Sequence, residues 1–154
     1  MLFDTSATPG VWLEGSENMS NESISFKGLR LLVVDDDPDT RTLLTFLFEL
    51  DGAEIITDAS AGDALEIISL FKPDILISDL YLPDEDGCSL LLKVRNIEAK
   101  RGRKIPAIAL TASAYHEDRN RALLVSYNIY KRKPIDLDEL AFAVASLAGL
   151  EEYV

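Results

Sequence analysis

The chain has 154 residues, of which 47% are hydrophobic, and it carries a formal net charge of −12 at pH 7. This length predicts one domain with a hydrophobic core. The acidic charge argues against nucleic-acid binding, which needs clustered Lys and Arg. The single Cys88 excludes an intrachain disulfide, and no stretch approaches the ~20 apolar residues of a membrane span. We therefore expect a cytoplasmic protein that binds neither nucleic acid nor membrane.

The N-terminal segment, residues 1–27, differs in composition from the rest of the chain. It is rich in Ser, Thr, Asn, Glu, Gly and Pro and shows no hydrophobic periodicity, which predicts a flexible leader. Met19 is a second candidate start of translation. The opposing hypothesis is that the apolar segment 11–13, Val-Trp-Leu, docks on a partner or on the domain itself. Mass spectrometry that finds the native chain starting at Met1 would exclude translation from Met19.

Residues 28–150 alternate short apolar runs with amphipathic segments, and residues 151–154 form a C-terminal tail. The apolar runs predict strands and the amphipathic segments predict helices. We predict strands at about 30–35, 54–58, 74–79, 106–111 and 128–132, and helices at about 38–50, 60–71, 88–100, 116–126 and 136–148. Five strand–helix units in series predict an α/β fold, a doubly wound five-stranded parallel sheet covered on both faces. We expect no effector domain, since such a domain needs roughly 50 residues.

Four of these strands end at or just before a reactive side chain. Asp35 and Asp36 close the first strand, Asp79 closes the third, Thr111 closes the fourth, and Lys133 follows the fifth. The ligand crevice of an open α/β sheet lies beyond the carboxyl ends of its strands. The predicted fold therefore collects three carboxylates, a hydroxyl and an ammonium at one edge, an inventory that suits Mg²⁺ and a phosphoryl group.

Simpler interpretations exist for each of these residues. The acidic pair of the first strand could serve only turns and helix caps, which is the role we expect for Asp37. Thr111 could be an ordinary strand residue, and Lys133 could form a purely structural ion pair. A calcium loop is excluded by spacing, because Gly87 at loop position 6 would place Leu82 and Lys93 where carboxylates are needed.

The motifs at the strand ends carry a family resemblance. They are the segments 33–38, Val-Val-Asp-Asp-Asp-Pro; 78–87, Ser-Asp-Leu-Tyr-Leu-Pro-Asp-Glu-Asp-Gly; 110–112, Leu-Thr-Ala; and 133–134, Lys-Pro. In this order, they resemble the receiver domain of response regulators, the phospho-acceptor module of two-component signalling. The resemblance extends over residues 29–150 and implies a flavodoxin-like (βα)5 fold.

The resemblance also implies roles for the residues of the site. Asp79 would be the phospho-acceptor, and Lys133 would contact the phosphoryl group. Mg²⁺, for which Mn²⁺ can substitute, would be held by Asp36, Asp79 and the backbone carbonyl of Tyr81, with Asp35 acting largely through water. Crowded carboxylates of this kind raise one another's pKa values when no metal is bound. The Lys-Pro peptide bond is usually cis in the family.

The switch implied by the resemblance involves Thr111 and Tyr130. Thr111 would move toward the phosphoryl group, and Tyr130 would turn inward and change the face formed by the fourth helix, fifth strand and fifth helix. A half-exposed strand aromatic is the simpler interpretation of Tyr130. Ser126 and Tyr127 stand where many members of the family place a Gly, which predicts a different end for the fourth helix.

Without an effector domain, the protein would act by binding another molecule or by passing its phosphoryl group on. The resemblance implies a sensor histidine kinase or a histidine phosphotransfer protein as donor, a downstream effector protein, and a dimer formed on phosphorylation as an option. The resemblance implies a phospho-acceptor signalling domain and not an enzyme. The only reactions it would catalyse are its own phosphotransfer and dephosphorylation.

Two other functions remain open at this point. One is a phosphatase of the haloacid-dehalogenase type, but the segment 37–41, Asp-Pro-Asp-Thr-Arg, lacks the spacing of its first motif. The other is a binding module that no longer accepts phosphate. The sequence gives this reading little support, because all the expected site residues are present.

Overall fold

The computed structural model describes residues 24–150, except residues 103, 113 and 114 and the side chain of Arg101. Most of the predicted leader, with Met19 and the segment 11–13, and the predicted tail lie outside the described residues. Strands and helices alternate in the order β1 (Arg30–Val34), α1 (Pro38–Leu50), β2 (Glu54–Asp58), α2 (Ala61–Phe71), β3 (Ile75–Asp79), α3 (Gly87–Arg101), β4 (Ala107–Thr111), α4 (His116–Leu124), β5 (Ile129–Arg132) and α5 (Leu137–Leu147).

The five strands form one parallel sheet in the order β2-β1-β3-β4-β5. The order reverses at β1, so helices cover both faces, and the predicted doubly wound (βα)5 fold is confirmed. Side chains alternate between the two faces along each strand, as in Leu31 and Leu32. One face packs against α1 and α5, and the other packs against α2, α3 and α4.

Acidic and hydroxyl side chains start four of the five helices. Asp37 accepts a hydrogen bond from the backbone of Asp39 and places Pro38 in the first turn of α1. Ser60, Asp86 and Asp136 cap α2, α3 and α5 in the same way. The predicted cap role of Asp37 is therefore confirmed. Within the described residues, no helix combines the length and the apolar composition needed to cross a membrane.

Helix α4 ends two residues earlier than residue 126, where the sequence predicted its end. The helix stops at Leu124, and Ser126 takes a left-handed conformation with φ 84°. The Ser126 N–H donates to the Leu123 carbonyl (3.1 Å), and the Tyr127 N–H donates to the Ala122 carbonyl (3.0 Å). This pair of bonds is a Schellman motif, in which glycine normally supplies the left-handed residue. The chain thus keeps the glycine-type ending and forms it with serine, so the expectation that the missing glycine changes this helix end is wrong.

Replacing Ser126 with glycine is expected to stabilise the domain by about 0.5–1 kcal/mol, because glycine adopts positive φ without steric cost. Gly149 holds the equivalent position after α5, at φ 77°, and a Cβ placed there would meet no atom within 4 Å. The matched control Gly149→Ser should therefore lose a similar amount. Urea unfolding of both variants measures the two changes, and a Ser126→Gly variant no more stable than wild type would contradict the expectation.

Candidate functional site

The strand register brings the predicted site residues to one edge of the sheet. Val34 pairs with Ser78, so Asp35 and Asp79 follow on neighbouring strands. Asp79 pairs with Leu110, the residue before Thr111. Thr111 in turn pairs with Arg132 on β5, the residue before Lys133. Because the strands are parallel, every one of these chain positions lies at the carboxyl edge of the sheet.

Three carboxylates meet at this edge. Oxygens of Asp35, Asp36 and Asp79 all lie within 4.8 Å of one another, with Asp35 and Asp79 buried and Asp36 exposed. Backbone amides orient the two buried groups: the Asp37 N–H donates to Asp35 (2.9 Å), and the Tyr81 N–H donates to Asp79 Oδ1 (3.0 Å). Such a set of hard oxygen donors fits Mg²⁺. The exposed Asp36 opens the group to an ion arriving from solvent.

Lys133 supplies the positive charge of the site. Its Nζ lies 2.8 Å from Asp35 Oδ2 and 3.0 Å from Asp79 Oδ2. Burial disfavours the charged lysine, but the hydrogen bonds to the two carboxylates outweigh burial and raise the pKa of Lys133. Burial also raises the pKa of Asp35, despite the nearby ammonium. The expected rise of a carboxylate pKa thus holds for Asp35, with burial as its main cause and the Asp79 charge as a smaller one.

Thr111 ends β4 at this edge, and Tyr130 lies on β5, three residues before Lys133. Thr111 is fully buried at the end of β4, and its carbonyl accepts a hydrogen bond from the Lys133 N–H (2.8 Å). Tyr130 is half-buried and packs against the core on the face covered by α2, α3 and α4. The peptide bond between Lys133 and Pro134 is cis, as expected.

The acidic side chains of the loop between β3 and α3 bond to the starts of two helices and to one lysine. Asp84 accepts hydrogen bonds from the backbone amides of Gly62 (2.8 Å) and Ala61 (3.0 Å), and these bonds lower its pKa. Asp86 caps α3 through the Ser89 N–H (2.8 Å), and Glu85 pairs with Lys93 (2.7 Å). Each of these three carboxylates therefore bonds to a group of the protein itself.

Gly87 is a residue whose role the sequence did not reveal. A Cβ placed on it would collide with the backbone carbonyl oxygen of Asp79 and would lie 2.9 Å from the Cα of Leu80. The start of α3 therefore packs directly on the backbone of Asp79. The only sequence signal for this contact was the place of Gly87 at the end of the 78–87 motif.

Comparison with known proteins decides the family. The family model described as the response regulator receiver domain matches residues 31–145. The chain belongs to the response regulator receiver domain family. Receiver domains are signalling modules of two-component systems that are generally not classed as enzymes, and phosphorylation on aspartate is a property of the family. They bind Mg²⁺ at an acidic pocket, which agrees with the grouping of Asp35, Asp36 and Asp79.

The chain is also similar to individual proteins and to solved structures. The chain is 46% identical over 110 residues to an uncharacterized 14.6 kDa protein in the sodA1 3′ region of Leptolyngbya boryana, covering 71% of this chain and 82% of that protein. It is 33% identical to hybrid signal transduction histidine kinase D of Dictyostelium discoideum, covering 82% of this chain but 8% of the kinase. A crystal structure of a putative response regulator from Chloroflexus aurantiacus has 31% identity and a TM-score of 0.73, covering 80% of this chain and 99% of that one.

Proposed function

We propose that this receiver domain accepts a phosphoryl group on Asp79 in a Mg²⁺-dependent reaction and signals through a separate effector protein. The observation that carries the proposal is the position of Asp79. Its carboxylate is buried at the sheet edge, 3.0 Å from the Lys133 ammonium and within 4.8 Å of two further carboxylates. A nucleophile, a cation and ligands for a metal therefore share one small volume.

The proposed donor is a phosphohistidine of a sensor histidine kinase or of a histidine phosphotransfer protein. An oxygen of Asp79 attacks phosphorus and forms a mixed anhydride. The phosphorus–nitrogen bond breaks, and its electron pair returns to the imidazole of the donor. The hybrid histidine kinase among the relatives supports this donor class. Acetyl phosphate can replace the donor, with acetate as the leaving group.

The incoming phosphoryl group is dianionic, so it needs positive charge to approach three carboxylates. Bound Mg²⁺ would supply charge neutralisation, with Asp36, Asp79 and the Tyr81 carbonyl as its protein ligands and Asp35 acting through water. Mn²⁺ has the same preference for oxygen ligands and can substitute. Lys133 adds a second positive charge from the protein itself. Because Tyr81 N–H and Lys133 each hold one oxygen of Asp79, the carboxylate is oriented before the donor arrives.

The switch proposed for this site uses Thr111 and Tyr130. The Thr111 hydroxyl would hydrogen-bond to the phosphoryl group, and such charge-assisted bonds are about twice as strong as neutral ones. Tyr130 would then turn further into the core against which it already packs. The resulting change on α4, β5 and α5 would alter the surface offered to an effector or to a second phosphorylated copy. We place these events in the cytoplasm.

Intact mass spectrometry after incubation with Mg²⁺ and acetyl phosphate tests this function. Wild type should gain one phosphoryl group, and Asp79→Asn should gain none. Asp84→Asn is the matched control on the same loop, and it should still be phosphorylated because the Asp84 carboxylate faces the amides of α2. The absence of an adduct in wild type, both from acetyl phosphate and from a phosphorylated histidine phosphotransfer protein, would refute the proposal.

A further inference from the structure

Two side-chain contacts fasten α4 to the β3–α3 loop. The Tyr81 hydroxyl donates a hydrogen bond to Asp118 Oδ2 at 2.5 Å, and the Arg121 guanidinium forms an ion pair with Asp86. Asp118 and Arg121 are three residues apart, so they lie on the same face of α4. The two bonds thus clamp one face of this helix onto the loop that follows the acceptor strand.

Both loop residues of the clamp also contact the acceptor or its surroundings. Tyr81 donates its backbone N–H to Asp79 Oδ1 at 3.0 Å, and its carbonyl is the proposed metal ligand. Asp86 caps α3, whose first residue, Gly87, packs on the Asp79 backbone. A movement of α4 therefore reaches the site through groups that are already bonded to it.

Asp118 also lies near the aromatic residue of the proposed switch. Burial raises the pKa of Tyr130, and the negative charge of Asp118 is the next cause of that rise. Asp118 is thus hydrogen-bonded to the β3–α3 loop through Tyr81, and its charge also acts on Tyr130.

We propose that Asp118 is a positioning residue for the phosphorylation site, which acts through the Tyr81 hydroxyl. By holding the Tyr81 side chain, Asp118 fixes the backbone that presents an N–H to Asp79 and a carbonyl to Mg²⁺. Because coupling between two sites is reciprocal, metal binding at the site must then also change α4. This inference rests on the proposed function and adds a route between the site and α4 that does not use Thr111.

Isothermal titration of the full chain with Mg²⁺ alone provides the first test. Asp118→Ala and Tyr81→Phe should each weaken Mg²⁺ binding by about twofold to tenfold, the range expected for one hydrogen bond. The double variant should be no weaker than either single variant. Asp118→Asn should bind like wild type, since the amide oxygen still accepts the hydroxyl hydrogen bond.

Glu117→Ala is the matched control, because Glu117 is the exposed neighbour of Asp118 in the first turn of α4 and carries the same charge. If Glu117→Ala or Asp118→Asn loses as much Mg²⁺ affinity as Asp118→Ala, the loss comes from long-range charge and the proposal is overturned. Unchanged Mg²⁺ affinity in Asp118→Ala and Tyr81→Phe would overturn it as well. If wild type gains a phosphoryl group and Asp118→Ala and Tyr81→Phe bind Mg²⁺ as tightly as wild type does, the proposed function stands. Only the role inferred here for Asp118 is then refuted.

Hydrogen exchange supplies a readout that a purely structural role would not change. Mg²⁺ should increase the protection of amides in α4 of wild type and of Asp118→Asn, and it should leave α4 unchanged in Tyr81→Phe. The same Mg²⁺-dependent protection of α4 in Tyr81→Phe as in wild type would contradict the proposed route.

Discussion

Alanine at position 87 is expected to slow phosphorylation of Asp79 by at least tenfold while the domain still folds. The added methyl group would collide with the Asp79 carbonyl oxygen, so the start of α3 and the Asp79 backbone must move apart. Overpacking of this kind costs about 1–3 kcal/mol. A displacement of ~1 Å at a reacting group can cost about 10²-fold in rate. The measurements are the rate of adduct formation from acetyl phosphate and the urea unfolding curve.

Gly62→Ala is the matched control for this variant. Gly62 lies in the first turn of α2 as Gly87 does in α3, but a Cβ there would meet only the Asp84 carboxylate, at 3.3 Å. We expect a change within about 0.5 kcal/mol and a normal rate of phosphorylation. A Gly87→Ala variant that reacts as fast as wild type would show that the Asp79 backbone tolerates displacement.

The sequence was sufficient to predict the order of the elements because each level of the pattern agrees with the others. Apolar runs give the buried strands, and helix starts carry capping residues such as Asp37 and Ser60. The end of α4 was placed two residues too late. Its position depends on Ser126 adopting a positive φ, and propensity alone disfavours that conformation for serine.

The core of the candidate site was predictable for a different reason. Parallel strands bring their carboxyl ends together, so Asp35, Asp79 and Lys133 follow from chain order alone. The Tyr81–Asp118 and Asp86–Arg121 contacts were not predictable in this way. The two residues of the first contact are 37 positions apart in the chain, and those of the second are 35 positions apart. Each contact depends on how α4 packs against the β3–α3 loop. No local pattern encodes that position.

The Lys133→Ala variant is expected to bind Mg²⁺ more tightly than wild type yet to accept a phosphoryl group at least tenfold more slowly. Lys133 competes with a cation for Asp35 and Asp79, so its removal frees their oxygens for the metal. The same removal takes away positive charge that the phosphoryl group needs in the transition state. The opposite signs separate this role from general disruption of the site, which would weaken both properties.

Without Mg²⁺ the same variant should lose about 3 kcal/mol of unfolding free energy at pH 7, because two carboxylates then face each other with no counter-charge. Pairing raises the pKa of Lys133 above its ordinary value of 10.5, so in wild type this stability is present at neutral pH and is lost only as pH rises through the raised value. In the variant, the folded state binds protons more readily than the unfolded chain, so the deficit should shrink as pH falls toward about 4.

Urea unfolding in EDTA at several pH values measures the deficit, and added Mg²⁺ should reduce it because the metal binds only the folded state. Lys131→Ala is the control, since Lys131 is paired at 3.5 Å with an exposed Glu139, and such pairs contribute about 0–1 kcal/mol. A Lys133→Ala variant as stable as wild type in EDTA at pH 7 would mean that solvent already screens the two carboxylates. The observed burial of Asp35 and Asp79 argues against that outcome, because buried charges that face each other without a cation are poorly screened.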